Sequence, residues 1–328
     1  MHYSKKGGKT VSRQERKEEK RIKKMEEQQV CEYNKIKKPT NVLFNVILTI
    51  LSLLSVIPFI FVIIISLTDE ESLAMNGYRF IPEKWSLYAY SYIIDAGENI
   101  IRSYGVTILV TVVGTLIGLL LVGTYAYALS RKTYAYKSFF TKVITVPMLF
   151  SGGMIANYLI VTKVLMLKDT VWALILPLAM NSFNVIVLRT FFKTSIPDSV
   201  VESAKIDGAS EWRLFFSIVI PMALPGLATI GLFLTLGYWN DWFNAMMYID
   251  NQNWIPLQYL LIKIESSIDW LASNKAMMGV DGIRAAANMP KETIKMAIVV
   301  ISTLPIIFAY PFFQRYFVNG LTVGAVKE

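Results

Sequence analysis

Histidine and cysteine, which often supply acid–base and nucleophilic chemistry, are almost missing from this chain. Its 328 residues include one histidine, His2, and one cysteine, Cys31. Histidine-dependent catalysis, Cys–His nucleophiles, Cys/His zinc sites and intrachain disulfides therefore have almost no raw material. We predict a protein that is not an enzyme and that has neither catalytic residues nor a metal site.

The sequence Gly8-Lys9-Thr10 superficially matches the end of a nucleotide-binding loop. In the pattern Gly-x-x-x-x-Gly-Lys-Ser/Thr, the first glycine would fall at position 3, which is Tyr3, and no strand precedes it. We therefore expect that this chain binds no nucleotide or other cofactor itself.

Segment 197–221 contains several charged residues, together with a proline and a glycine that favour a helix start and a turn. Pro197 can begin a helix, and the carboxylates of Asp198 and Glu202 suit its positive N-terminal end. Gly208 then permits a turn. A second short helix would carry four large apolar side chains: Trp212, Leu214, Phe215 and Phe216. We predict a helix–turn–helix at the cytosolic membrane face, either an amphipathic connector in the interface or a docking platform for a partner protein.

Long apolar runs must position this segment. Hydrophobic residues make up 54% of the chain and charged residues 17%, against about 25% charged in soluble proteins, and the mean hydropathy is +0.45. Six runs reach the roughly 20 residues that a membrane-spanning helix needs: about 42–67, 103–130, 139–161, 170–192, 216–249 and 293–316. We predict an all-α integral membrane protein with six transmembrane helices.

Glycine and proline interrupt several of these runs, at 151–153, Pro177, Pro225 and Pro305. A membrane tolerates such breaks where neighbouring helices or a polar cavity satisfy the freed backbone groups. The breaks indicate either a bundle that lines a pathway or ordinary kinks in a packed bundle.

Residues 1–41 form a charged N-terminal tail ahead of the membrane domain, 42–328. The tail holds thirteen Lys and Arg with six Glu, and no apolar cluster that could form a core. The run 42–67 is long enough to span a bilayer and no Ala-x-Ala cleavage pattern follows it, so we expect an uncleaved anchor. Lipid headgroups explain the formal charge of +9 better than nucleic acid does.

The distribution of Lys and Arg predicts the orientation. With the N-terminus inside and six spans, the inner segments hold 23 of these residues and the outer segments 10. Without the tail the two sides are equal, so the prediction depends mainly on Lys35, Lys37 and Lys38 beside the first span. We predict a multi-pass protein with both termini in the cytosol.

Polar side chains inside the fourth and fifth runs are candidates for a substrate pathway. They are Asn181, Asn184, Trp239, Asn240, Asp241 and Asn244. Polar groups that face lipid are costly, so these should face the bundle or water. They could stack on and hydrogen-bond a sugar, or they could form interhelical hydrogen bonds. Because Asn240 and Asn244 are four residues apart, we expect them to share one face of the fifth helix.

Two long outer loops, about 68–102 and 250–292, separate the predicted spans. Loops of that length are commonly functional, so we expect a docking partner on the outer side. Acidic and basic residues nearly balance in the second loop, so its charge gives no evidence that the substrate is a uronate.

Segment 197–221 also resembles the EAA motif of bacterial ABC-importer permeases, whose pattern is Glu-Ala-Ala, two residues, Asp-Gly-Ala, then Phe and Ile-x-Leu-Pro. The departures are Ser203 for the second Ala and Ile220 for Leu. The resemblance assigns ATPase coupling to Glu202, Ser203, Ala204, Asp207, Gly208, Ala209, Leu214, Phe215, Ile218 and Pro221.

The resemblance extends over most of the chain except the tail. Three segments are similar to the carbohydrate-uptake, maltose-type permeases: 188–197, 239–241 and 318–327. Three more are similar to their aldouronate and polysaccharide branch in Gram-positive bacteria: 80–82, 85–87 and 256–259.

The resemblance implies a permease subunit of type I, maltose-type fold in the plasma membrane that imports an oligosaccharide or complex sugar. The implied partners are a second permease subunit, two copies of a cytosolic ATPase subunit that uses ATP and Mg, and an extracellular lipid-anchored solute-binding protein. A membrane-embedded transferase that uses Asp198, Glu202, Asp207 and Glu211, and a non-ABC transporter, are the alternatives.

Overall fold

Helices form nearly all the regular structure in residues 38–95, 98–273 and 291–325, which a computed structural model of the chain describes. Within these residues the extended pairing is a single bridge between Thr68 and Trp85. The predicted tail lies outside the described residues except for its last positions. The all-α prediction is confirmed for the described part of the chain.

The first helix, α1 (Lys38–Ser66), has the length and composition of a membrane span. Its 29 residues rise about 43 Å at 1.5 Å per residue, more than the ~30 Å hydrocarbon core of a bilayer. Its side chains from Val42 to Ile60 are exposed apart from Phe59. A helix that is apolar all round is typical of a segment solvated by lipid.

Within the described residues the following α-helices come next in chain order: α2 (Glu70–Asn76), α3 (Tyr88–Asp95), α4 (Glu98–Ser130), α5 (Lys137–Leu149), α6 (Gly153–Val164), α7 (Val171–Ala179), α8 (Ser182–Ser195), α9 (Asp198–Ile206), α10 (Glu211–Met222), α11 (Leu224–Trp239), α12 (Phe243–Tyr248), α13 (Leu257–Ser273) and α14 (Glu292–Ala325). A 3-10 helix, Gln252–Trp254, lies between α12 and α13.

In the part of the chain that the structure describes, three helices are individually long and apolar enough to span a membrane, and two bent pairs qualify when each pair is counted as one span. The single spans are α1, α4 and residues 292–311 of α14. The pairs are α7 with α8, bent by 49°, and α10 with α11, bent by 86°. The third predicted run is divided at 150–152 into the shorter helices α5 and α6. The count of six spans stays a prediction.

Only some of the predicted breaks occur where expected. The chain leaves the helical conformation at 150–152, but Pro177 and Pro305 both lie inside continuous helices. The sharpest bend follows Pro221. Since proline lacks an N–H and its ring crowds the carbonyl four residues earlier, α10 widens into a π-helical turn at Phe215–Val219 and ends before Leu224.

The main core lies where α4, α7, α8, α10 and α11 meet. Two glycines allow this close packing. A Cβ at Gly114 would lie 2.5 Å from the ring of Tyr238, and a Cβ at Gly226 would lie 2.5 Å from the ring of Phe191. The Tyr238 hydroxyl also donates a hydrogen bond of 2.8 Å to the carbonyl of Ile175. These contacts join α11 to α4, α7 and α8.

At the N-terminal end of α4, the segment predicted as a loop at 250–292 contains the helix α13. Leu257 and Leu261 are buried beside Trp239, and Ile268 is buried against α3 and α14. The α2 residue Glu70 accepts hydrogen bonds from the first N–H groups of α14. The segments that connect the predicted spans at the N-terminal end of α4 therefore contain helices with buried side chains.

Candidate functional site

The predicted helix–turn–helix of segment 197–221 is present as α9 and α10. Pro197 is extended and precedes α9, and Gly208 after it has φ +81°. The turn closes with a backbone hydrogen bond of 2.9 Å from the N–H of Ala209 to the carbonyl of Ala204. Ser210 begins α10 as its N-cap. A residue with a Cβ at position 208 would be strained, because positive φ favours glycine.

Burial divides the predicted coupling residues into an anchor and an exposed face. Val201, Leu214 and Phe215 belong to the main core, while Ala204, Ala209 and Ile218 pack against it and are partly buried. The exposed face, which we call the α9 face, consists of Glu202, Ser203, Lys205, Ile206, Asp207 and Gly208. Ile206 is 86% exposed, so an apolar side chain stands in the middle of a charged surface. Pro221 is exposed on α10 and sets the bend.

Hydrogen bonds and ring contacts hold this unit against the C-terminal end of α4. The Tyr127 hydroxyl donates to Oε2 of Glu211 at 2.9 Å, and Nζ of Lys205 lies 2.6 Å from Oε1 of the same carboxylate. The rings of Tyr127 and Phe215 have centroids 5.4 Å apart. A force applied to α9 would therefore be transmitted to α4, a helix that spans the main core.

The four carboxylates of the segment do not converge. Nζ of Lys132 lies 2.8 Å from Oδ2 of Asp198, and this ion pair holds the pKa of the Asp198 carboxyl below its usual range. Glu211 is bound by Lys205 and Tyr127, whereas Glu202 and Asp207 are exposed on α9. Within the described residues no three His, Cys, Asp or Glu side chains are arranged to hold a metal ion. These carboxylates do not assemble the constellation that a transferase would need.

Two predicted pathway residues have hydrogen-bond partners within the bundle, and a third is buried. Oδ1 of Asn181 accepts a hydrogen bond of 2.8 Å from the N–H of Phe183 and so caps α8 at its break from α7. Asn184 is buried, 7% exposed, in the first turn of α8. Nε1 of Trp239 donates to the carbonyl of Ser302 at 2.9 Å. Trp239 therefore joins α11 to α14.

The expectation that Asn240 and Asn244 share one helix face is wrong. Helix α11 ends at Trp239, Asn240 is its C-cap, and α12 begins only at Phe243. The amide of Asn240 donates to the carbonyl of Leu236 at 3.0 Å. The carboxylate of Asp241 accepts hydrogen bonds from both the backbone and the side-chain nitrogen of Asn244. The chain turns here, so the 3.6-residue periodicity does not apply.

Asn244 instead lines a cavity of about 470 Å³ between α6, α7 and α12. Ligand sites in proteins occupy roughly 300–1,000 Å³. The other polar amide in its wall is Asn157, and the ring of Tyr248 also faces it, stacked on Tyr158 with centroids 6.1 Å apart. Asn157 is not among the residues predicted from the sequence. Its signal is a lone amide in the predominantly apolar helix Gly153–Val164.

A set of hydrogen bonds around Asp169 adjoins this cavity at Tyr248. Oδ1 of Asp169 accepts hydrogen bonds from the N–H groups of Asp250 and Asn251, at 2.6 and 2.8 Å. The N–H of Asp169 donates to the carbonyl of Tyr248 at 3.0 Å. The two N–H donors, that of Asn251 above all, hold the pKa of Asp169 below its usual range. This clasp joins the loop after α6 to the end of α12.

Comparison with known proteins places the chain among membrane transport components. Residues 112–323 match the family described as binding-protein-dependent transport system inner membrane component. The chain is 40% identical over 274 residues to Protein LplC of Bacillus subtilis, covering 84% of this chain and 90% of that protein. It is also 40% identical over 280 residues to the polygalacturonan/rhamnogalacturonan transport system permease protein YtcP of the same organism, covering 85% and 95%.

A solved structure has the same fold. It is a chain from the crystal structure of a bacterial ABC transporter involved in the import of the acidic polysaccharide alginate, which matches with a TM-score of 0.72 and 29% sequence identity. The match covers 86% of this chain and 99% of that chain. The helical membrane fold predicted from the sequence is therefore confirmed.

Proposed function

Because the chain belongs to the family of inner membrane components of binding-protein-dependent transport systems, we propose that it forms the sugar passage of an ABC importer for an oligosaccharide or complex sugar. The family consists of permease components that are not themselves enzymes. The named transport of polygalacturonan and rhamnogalacturonan by one relative and of alginate by another supports a polysaccharide-derived substrate.

The observation that carries the coupling role is the α9 face. It presents charged groups around the exposed Ile206, while its anchor residues Leu214 and Phe215 are buried in the main core. A partner that bound this face could push on α9 without detaching it, because Glu211 and Phe215 hold the unit to α4. We infer that a cytosolic ATPase subunit, which binds ATP and Mg, docks here and drives alternating access.

The remaining partners follow from the same assembly. A second permease subunit would complete the passage, two ATPase subunits would supply the work, and a lipid-anchored solute-binding protein would deliver the sugar. The packed end formed by α2, α3 and α13 would face the binding protein, and the α9 face would lie in the cytosol with both termini. The three lysines that precede the first span, Lys35, Lys37 and Lys38, support this orientation.

We place the sugar passage beside the cavity between α6, α7 and α12. Its wall combines the amides of Asn157 and Asn244 with the ring of Tyr248, the chemistry that hydroxyl hydrogen bonding and ring stacking require. The alternative passage passes Asn184 and Asn240, which lie outside this wall. The companion subunit would provide the opposite side in either case.

A photo-crosslinking experiment tests the docking directly, with two isoleucines of nearly equal exposure. Ile206 on α9 is 86% exposed and Ile81 near α2 is 83% exposed. A photoreactive amino acid at position 206 should crosslink to the ATPase subunit, whereas the same group at position 81 should not. Crosslinking of the ATPase from position 81, or from neither position in an active complex, would refute the assignment.

A further inference from the structure

Five cationic residues lie at the C-terminal end of α4 and on the neighbouring helices α5 and α8, and we call them the basic cluster: Arg131, Lys132, Lys137, Arg189 and Lys193. Nζ of Lys137 donates to the carbonyl of Arg131 at 3.4 Å. Partial burial, and then the charges of Arg189, Lys193 and Arg131, lower the pKa of Lys137. The cations are therefore close enough to repel one another.

Few of these charges are neutralised by the chain. The carboxylates that face the cluster are Asp198, Glu202 and Glu211. Asp198 is paired with Lys132, Glu211 is paired with Lys205, and Glu202 is exposed on α9. The other four members of the cluster form no ion pair within the described part of the chain. A positive potential therefore remains at this surface.

Arg131 contributes a positive charge that its contacts hold in one position. Its side chain is buried, 7% exposed, with Cζ 5.3 Å from the centroid of the Tyr127 ring and Nε donating to Oγ of Ser130 at 3.0 Å. Nη1 has no hydrogen-bond partner among the described residues. Its side-chain contacts are thus a neutral ring and a neutral hydroxyl, and it acts on the carboxylates of Glu211 and Asp198 without a direct ion pair.

The cluster lies at the edge of an exposed apolar surface. Tyr136 and Phe139, on either side of Lys137, are 67% and 62% exposed, and Val143 and Val146 continue the exposed apolar side of α5. Aromatic residues concentrate at the level of lipid headgroups, with apolar residues beyond them. The cations are therefore placed at headgroup depth.

We propose that the basic cluster binds the phosphate of an anionic phospholipid whose acyl chains lie along the exposed side of α5. The cluster supplies the charge, and the apolar side chains of α5 distinguish a lipid from free phosphate. Because the binding site adjoins Asp198 at the start of α9, a bound lipid would also stabilise the base of the helix–turn–helix. This proposal goes beyond the transport function and does not depend on which leaflet the cluster faces.

Retention of lipid by the purified complete complex tests the proposal. The complex is equilibrated in nanodiscs of phosphatidylcholine with phosphatidylglycerol and then washed in detergent, and the retained lipids are quantified by mass spectrometry. Each removed charge should lower the preference for phosphatidylglycerol about fivefold, which corresponds to ~1 kcal/mol per Lys or Arg near an anionic surface. Lys193→Gln tests one exposed charge, and the pair Lys137→Gln with Arg189→Gln tests two.

Lys163→Gln is the matched control, because Lys163 is an exposed lysine at the end of α6, a helix that contributes no residue to the cluster, and its charge is not among those that lower the pKa of Lys137. It should retain phosphatidylglycerol as the unsubstituted complex does. Equal retention in Lys193→Gln and in the control would overturn the proposal, and so would displacement of the lipid by millimolar inorganic phosphate. A variant that keeps its lipid but releases the ATPase subunit would show that the cluster is a protein contact instead.

Discussion

Replacing Gly208 by alanine should weaken the coupling of ATP hydrolysis to transport while the protein still inserts and folds. Gly208 has φ +81°, and a Cβ added there would meet nothing within 4 Å. The cost is therefore confined to the backbone. A left-handed conformation costs an L-residue roughly 1–2 kcal/mol, which reduces the population of the native turn by a factor of about 5 to 30.

The substitution series separates the turn from the docking surface. Gly208→Asn should have a smaller effect than Gly208→Ala, because asparagine tolerates positive φ. Gly208→Arg should have the largest effect, since it adds a long charged side chain on the α9 face to the same backbone strain. The readouts are co-purification of the ATPase subunit and sugar-stimulated ATP hydrolysis by the reconstituted complex.

Gly77 provides a control for backbone strain outside the α9 face. It has φ +70° with ψ −172°, a region that disfavours a Cβ at least as strongly, a Cβ there would also meet nothing within 4 Å, and it is the C-cap of α2. Gly77→Ala should leave co-purification of the ATPase subunit unchanged. Normal assembly and hydrolysis in both Gly208→Ala and Gly208→Arg would refute the coupling assignment. An equal loss of ATPase co-purification in Gly77→Ala would show that the effect is not specific to the turn at Gly208.

Three other perturbations have defined outcomes. Asn157→Leu should lower sugar uptake roughly 2- to 10-fold while the ATPase subunit still assembles, because the sugar would lose one hydrogen bond worth ~0.5–1.5 kcal/mol. A larger effect of Asn240→Leu in the same assay would instead place the passage beside the C-cap of α11. Glu70→Ala removes the carboxylate that caps α14, so amide exchange in the first turn of α14 should accelerate about 5- to 30-fold for a loss of ~1–2 kcal/mol, whereas Glu71→Ala should leave it unchanged. The fold lowers the pKa of the Asp169 carboxyl. The hydrogen bonds that Asp169 accepts should therefore be fully present above the ordinary pKa of about 3.9 and weaken only as the pH falls through the lowered pKa. Backbone amide exchange at 248–251 that already accelerates between pH 7 and 5 would contradict this.

The helix–turn–helix could be predicted from the sequence because its signals are local. Pro197 and Gly208 fix the start of α9 and the turn by their own backbone preferences, without help from distant residues. The buried anchor at Leu214 and Phe215 was also visible as an apolar group after the turn. The sequence did not reveal which side of α9 stays exposed, because that depends on how the segment packs against α4.

The interruption of the fifth span could not be predicted from composition. Residues 216–249 are apolar enough for one long helix, yet α11 ends at Trp239. The indole N–H of Trp239 donates a hydrogen bond to α14, and the carboxylate of Asp241 accepts one from the N–H of Asn244 in the turn that follows. Pro177 and Pro305 each lie inside a helix, although α7 ends at Ala179, two residues beyond Pro177, and the chain then bends by 49° into α8.

Helix α13 was missed although its signal is present. Leu257, Leu261, Ile264, Ile268 and Leu271 recur at the spacing of one helical face. The charged residues between them lowered the hydropathy of the segment and made it resemble a loop. The cavity residue Asn157 was missed for a different reason, since a single amide in an apolar run does not reveal its orientation until α7 and α12 are placed around it.

Sugar accumulation in proteoliposomes tests directly whether the complex that contains this chain imports sugar at the expense of ATP. The complete complex, with the companion permease, the ATPase subunit and the solute-binding protein, is reconstituted with ATP and Mg inside, and uptake of a radiolabelled oligogalacturonide is compared with uptake of a neutral oligosaccharide. We expect at least one of these sugars to accumulate, and we expect this accumulation to require the ATPase subunit and ATP and to be lost in Gly208→Arg. Accumulation that continues without the ATPase subunit, driven by an ion gradient, would contradict it.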